Sequence, residues 1–141
     1  MAPNEGSGYS GTPLVKKLGI KAGLQLAFVN APDGFLADVL GPLPERVVVG
    51  QWAGEGAFDI IHYFCRWQAD LERDILALMG SIRRDGTIWI SWPKKAAKLP
   101  GDINENVLRE VILPTGLVDV KVCAVDETWS GLMFVIRVEL R

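Results

Sequence analysis

The side chains best suited to chemistry fall in three short stretches. One is Ser91-Trp92-Pro93-Lys94-Lys95, with Lys98 close behind. It puts a hydroxyl, an indole and ammonium groups in one place, and lysine ammonium groups bind phosphate or carboxylate as point charges. A second is Asp126-Glu127-Thr128-Trp129-Ser130-Gly131. There Asp126 or Glu127 could orient a lysine or a ligand, with Trp129 stacked over it. The plainer alternative is a solvated basic loop paired with Asp126 and Glu127, where exposed pairs are worth about 0–1 kcal/mol each. The third is Asn30-Ala31-Pro32-Asp33-Gly34, whose polar members are Asn30 and Asp33. The candidate ligand-binding set drawn from them is Asn30, Asp33, Ser91, Trp92, Lys94, Lys95, Asp126, Glu127 and Trp129.

Other reactive types lack the company that catalysis needs. His62 is the only histidine and lies inside the apolar run Phe58-Asp-Ile-Ile-His-Tyr-Phe64. A general base needs a free ring nitrogen near its substrate, and this setting favours a hydrogen-bonded core histidine instead. No GxSxG elbow surrounds Ser91, so a serine–histidine–acid triad has no support. Cys65 follows the same run and opens a long helix, whose N-terminus would lower the thiol pKa. That makes it the more reactive of the two cysteines, against a default of packed thiols. The cysteines form no CxxC pair, which leaves neither a zinc framework nor a disulfide scaffold. Walker, HExxH, EF-hand and dinucleotide-glycine patterns are missing. No catalytic residue and no metal ligand is assigned.

Composition narrows the partners. The chain has 141 residues, with 15 basic against 17 acidic side chains and a net charge of −2. That balance gives no reason to expect nucleic acid or an anionic membrane. A hydrophobic fraction of 49% with 23% charged residues excludes disorder for the whole chain. The start shows no secretory pattern, and apolar runs such as 24–29 fall far short of the ~20 residues that span a bilayer. A soluble cytoplasmic protein is expected. Its partner is a small anionic ligand, or else a second copy or another protein. Trp67 and Trp89 are expected to face the core, leaving Trp52, Trp92 and Trp129 as surface anchors.

The elements follow from periodicity. Residues 1–13 read as a flexible segment and 14–141 as one domain. Leu14–Leu18 reads as a short helix. Strands are expected at 24–29, 47–49, 58–64, 87–92, 117–125 and 132–140. A helix over 66–82 carries Trp67, Leu71, Ile75, Leu78 and Ile82 on one stripe. Phe35–Leu40 reads as a short helical stretch and Asp85-Gly86 as a tight turn. Asp102, with Glu105 three residues on, has the spacing of a capping box for the helix that follows. The alternation of β and α predicts an α/β fold. The expected sheet is open and mostly parallel, with about six strands, an antiparallel C-terminal strand and helices on both faces. Ligands of such sheets sit beyond the carboxyl ends of the strands. All three polar stretches fall there, and the last two become neighbours if the final strand inserts beside 87–92.

The order of segments resembles a reduced class I S-adenosylmethionine-dependent methyltransferase. LQLAFVNAPDGF is similar to that family's first strand and turn, FDIIHYF and its helix to the fourth strand, and DGTIWISW to the fifth. VLREVILPTGLVDVKV is similar to the final helix–strand unit. The words GYSGTPLVKKLG (8–19), SWPKKA (91–96) and VCAVDETWSGL (122–132) also resemble an uncharacterised bacterial family, a domain of unknown function. The methyltransferase resemblance implies a glycine-rich turn after the first strand, where backbone approaches the cofactor. It also implies a carboxylate at the end of the second strand for the ribose hydroxyls. This sequence has Asn30-Ala-Pro-Asp-Gly34 and Val49-Gly50-Gln51 at those places, and it lacks a helix–strand–helix unit after the second strand. Proline removes an N–H, and glutamine is a weaker acceptor than a charged group. The expectation is a non-catalytic binding or regulatory module with no cofactor. S-adenosylmethionine is the cofactor the resemblance keeps open. The alternatives are an enzyme acting on an anionic or nucleotide-like molecule, including residual methyl transfer, and a structural homo-oligomer.

Overall fold

A computed structural model describes residues 11–141. Most of the flexible segment expected over 1–13, with Tyr9 and Ser10, lies outside the described residues. The strands are β1 (Gln25–Val29), β2 (Val48–Gly50), β3 (Phe58–Phe64), β4 (Ile82–Pro93), β5 (Leu117–Ala124) and β6 (Trp129–Ile136). They form one six-stranded sheet in the order β2-β1-β3-β4-β6-β5. β1 pairs in parallel with β2 and β3, and β3 with β4. β6 inserts antiparallel between β4 and β5. This is the mostly parallel sheet with a C-terminal hairpin that the pattern predicts. The central strands read as unbroken apolar runs because both their faces are covered.

The helices are α1 (Leu14–Lys17), α2 (Gln68–Met79) and α3 (Glu105–Ile112), with a π-helical turn at Phe35–Leu40. On one side of the sheet, Ile61, Tyr63, Ile88 and Ile90 pack with Leu71, Ile75 and Leu78 of α2 and with Leu108 and Ile112 of α3. On the other, Leu26, Ile60, Phe64 and Trp89 pack with Leu14 and Leu18 of α1 and with Phe35 and Leu40. Among the described residues, no helix is long and apolar enough to cross a membrane.

Several boundaries differ from the sequence reading. The long helix covers Gln68–Met79 rather than 66–82. Trp67 has extended backbone and precedes the first turn. It is 42% exposed, so it does not face the core. Ile82 belongs to β4, after Gly80 ends the helix. Asp85-Gly86 lies inside β4. The irregularity it makes is absorbed where β3 advances from Phe58 to Ile60 while β4 advances from Ile82 to Thr87. Val138–Leu140 is a 3-10 turn outside β6. Asp102 does not cap the helix that follows it. Asn104 does, its Oδ1 accepting from Val107 N at 2.9 Å. Asp102 instead caps α2 from a distance, accepting from Gln68 N at 2.6 Å. The spacing rule failed because the chain crosses the end of β3 here, and a second helix offers orphan N–H groups to the same carboxylate.

Tyr63 shows how α2 is held to the sheet. Its hydroxyl donates to Asp74 Oδ2 at 2.6 Å. Burial and the adjacent Asp74 carboxylate push its pKa up, so it stays a donor. Tyr63→Phe is expected to lower stability by about 1–2 kcal/mol, since bonds to charged acceptors are the stronger ones. Urea unfolding of the two proteins checks this.

Candidate functional site

The strand order reverses at β1, with β2 on one side and β3 on the other. A crevice is therefore expected beyond the ends of β1 and β3. Asn30 leaves β1 in the left-handed region, with φ 59. Its Nδ2 reaches across to the carbonyl of Phe64 at 3.5 Å. Phe35 N then donates to Pro32 O at 3.0 Å. Gly34, with φ 76, swings the chain into the π-helical turn. The turn seats Phe35 edge-on to Phe64 at 4.9 Å and to His62 at 5.7 Å. At the end of β2, Gly50 leads to exposed Gln51 and then Trp52. The Trp52 indole donates to Ser81 Oγ at 2.8 Å, which ties this segment to the α2–β4 junction. The turn after β1 is thus built around aromatic packing, and no carboxylate stands at the end of β2. These residues do not fit the way the resemblance implies S-adenosylmethionine is held.

Beneath that turn lies the buried pair His62 and Ser91. His62 Nε2 and Ser91 Oγ are 2.6 Å apart. The imidazole stacks on Phe64 at 4.3 Å. Burial alone drives the His62 pKa down to about 3. The ring is therefore neutral at pH 7, and its Nδ1 has no partner among the described residues. Ser91 is fully buried, so this candidate serves the core and does not reach the surface. Cys65 follows the default of a packed thiol and not the reactive alternative. It precedes α2 and is buried, and burial pushes its thiol up to about 11, even though a backbone hydrogen bond with Trp67 acts the other way. Burial likewise raises the Cys123 pKa, against the nearby lysines Lys17, Lys121 and Lys94.

Among the described residues, open space lies at the carboxyl end of β4. A cleft of about 400 Å³ is lined by Trp92, Pro93, Lys94, Lys95, Leu99 and the segment Gly101–Asn104. A shallower hollow of about 590 Å³ shares Trp92, Lys94, Lys95 and Asn104 with it and extends to Glu105, Asn106 and Ser130. Three candidates from the sequence, Trp92, Lys94 and Lys95, therefore meet at one place. The hairpin lies beside them, since Lys94 N donates to Thr128 O at 2.7 Å. Its own candidates are used otherwise. Asp126 Oδ1 accepts from Thr128 N and Trp129 N at 2.8 and 2.7 Å, which shapes the turn. Trp129 is buried edge-on to Phe64 at 5.1 Å, so it is neither a lid nor a surface anchor. Trp92 is also mostly buried, at 7% exposure. Glu127 and Asp33 are exposed at the tips of their turns and do not line the cleft. Among the described residues no His/Cys/Asp/Glu group of three or more could hold a metal ion.

Sequence reasoning missed Leu99, Ile103 and Asn104. The one available signal was Asn104 itself, a favoured capping residue just before the apolar stripe of α3.

No protein-family profile matches the sequence, and no curated protein matches it significantly. Solved structures do match. A SAM-dependent methyltransferase from Aquifex aeolicus superposes with a TM-score of 0.65 at 14% identity, over 95% of this chain and 93% of that one. The ribosomal protein L11 methylase from Lactobacillus delbrueckii subsp. bulgaricus gives 0.58 at 14% identity, over 88% and 75%. The fibrillarin pre-rRNA processing protein of Methanococcus jannaschii gives 0.56 at 10% identity, over 89% and 69%. Identity this low speaks for the fold alone. The chain has a methyltransferase-like α/β fold.

Proposed function

We propose that the protein is a small-ligand-binding or regulatory module on this fold, without methyl transfer. The observation that carries the proposal is the position of the cleft. It opens at the end of β4, lined by Trp92, Lys94 and Lys95, while the ends of β1 and β2 carry aromatic packing and no carboxylate.

A thermal-shift screen of nucleotides, phosphorylated metabolites and organic acids tests this. At least one anion is expected to raise the melting temperature of the wild type, by mass action on the folded state. The same anion should have little effect on a Lys94→Ala/Lys95→Ala variant. No stabilisation by any member of the screen would count against the proposal.

A second reading is residual methyl transfer. Its support is the superposition of nearly the whole chain on a SAM-dependent methyltransferase. In that reading the cofactor would be held by groups other than the two that the resemblance implies.

A further inference from the structure

We infer that the cleft at the end of β4 takes an organic anion, a carboxylate or phosphate group carried on a compact apolar body. This rests on the binding-module reading above and names the class of its ligand.

Trp92 supplies the first reason. Its side chain is more than nine-tenths buried and lines both the cleft and the adjoining hollow. The indole N–H groups of Trp52 and Trp89 donate to Ser81 Oγ and to the Leu18 carbonyl. That of Trp92 has no protein acceptor among the described residues and is not sealed from solvent. It is free to donate to water or to a ligand at the cleft wall.

The remaining polar groups of the wall have the same character. Asn104 is fixed by its own cap, with Oδ1 engaged by Val107 N. Its amide nitrogen is left as the donor. Lys95 adds an exposed ammonium group. The carboxylates of the wall are committed elsewhere. Asp102 accepts from Gln68 N at 2.6 Å, and Glu105 pairs with Arg109 at 3.2 Å. The wall thus carries donors in the Trp92 indole, the Asn104 amide and Lys95, and each of its two carboxylates is already engaged by a protein donor. A group with acceptors only and a negative charge matches that surface, which describes a carboxylate or a phosphate.

The rest of the wall is apolar, formed by Pro93, Leu99, Ile103 and the Trp92 ring. A bare inorganic anion would leave this surface in water, so the ligand carries an apolar body. A volume of about 400 Å³ is near the lower end for small-molecule sites, which favours a monocyclic or short-chain acid over a dinucleotide.

The test is a titration of nitrogen-15-labelled protein with benzoate, phenyl phosphate, inorganic phosphate and benzylamine. The Trp92 indole resonance, assigned by its loss in Trp92→Phe, is the reporter. Benzoate or phenyl phosphate is expected to move it saturably, inorganic phosphate to bind about tenfold more weakly, and benzylamine not to move it. Trp92→Phe keeps an aromatic ring and should weaken the best anion about tenfold. The surface change Lys95→Ala should weaken it too, and remove part of its salt dependence. Benzylamine binding as well as benzoate, or full affinity in both variants, would overturn the anion assignment while leaving a ligand cleft in place. Inorganic phosphate equal to phenyl phosphate would overturn the apolar body. No movement of the Trp92 resonance with any of the four probes would overturn this inference and the cleft reading together.

Discussion

Between pH 7 and pH 5 the protein is expected to lose about 2 kcal/mol of folding stability through His62 alone. The folded chain holds this imidazole at a pKa of about 3, against 6.5 for an unperturbed histidine, because burial penalises its charged form. Well above 6.5 the ring is neutral whether the chain is folded or not, and the stability is complete. Below 6.5 the unfolded chain takes a proton that the folded chain refuses. Stability then falls by up to about 1.4 kcal/mol per pH unit, and the loss runs on until the pH nears 3. Among the described residues no anion stands by to offset the charge. Ser91 Oγ is the hydrogen-bond partner, and Phe28, Phe35, Phe64 and Trp89 are the ring neighbours. The sequence has a single histidine, so no other imidazole contributes to this window. Urea unfolding at pH 7 and pH 5 measures the loss. His62→Gln cannot titrate, and its stability should change little between the two. Equal wild-type stability at both pH values would contradict the burial argument.

Gly101→Ala is expected to destabilise the protein by about 2 kcal/mol and to disturb the cleft. A Cβ at this position would lie 2.6 Å from the carbonyl oxygen of Arg66 and 3.3 Å from the Arg66 Cβ. The closest atom is backbone, so no flexible side chain can yield. The strap from Lys98 to Asn104 must lift away from the β3–α2 turn. Doing so breaks the bond from Asp102 N to Arg66 O at 2.8 Å, worth about 1 kcal/mol. It also removes the Asp102 carboxylate from Gln68 N, which leaves α2 without its cap at a further cost of about 1 kcal/mol. Gly101, Asp102 and Ile103 are wall residues of the cleft, so ligand affinity should fall with stability. Asp102→Ala, which adds no clash, should show only the capping loss. Wild-type stability in Gly101→Ala would mean that the strap is not pinned to the turn.

The sheet was legible because its signals are local. Phe58–Phe64 and Thr87–Trp92 are apolar runs too short for helices, and they became the two central strands. The π-helical turn at Phe35–Leu40 and α2 were marked by glycine and by a 3.6-residue stripe. The site was less legible, since it depends on contacts between distant segments. Ser91 and Trp129 looked like surface chemistry from their neighbours in sequence. Their strand registers bury them instead, opposite Gly131 and Pro93. Asp102 met a local capping rule and was claimed by a helix 34 residues away. Lys94 and Lys95 could be placed at a strand end from sequence, but Leu99, Ile103 and Asn104 became their neighbours only through the path of the strap. The altered turn after β1 was visible as Pro32 and a lone Gly34. What fills the space beneath it, Phe35 against Phe64 and His62, was not.

The most direct test of the account is a calorimetric titration of the protein with S-adenosylmethionine and with its demethylated product. The account predicts no saturable heat from either, because neither the turn after β1 nor the end of β2 supplies the support that the fold's resemblance implies. Saturable micromolar binding, accompanied by methyl transfer to any acceptor, would contradict it and establish the second reading.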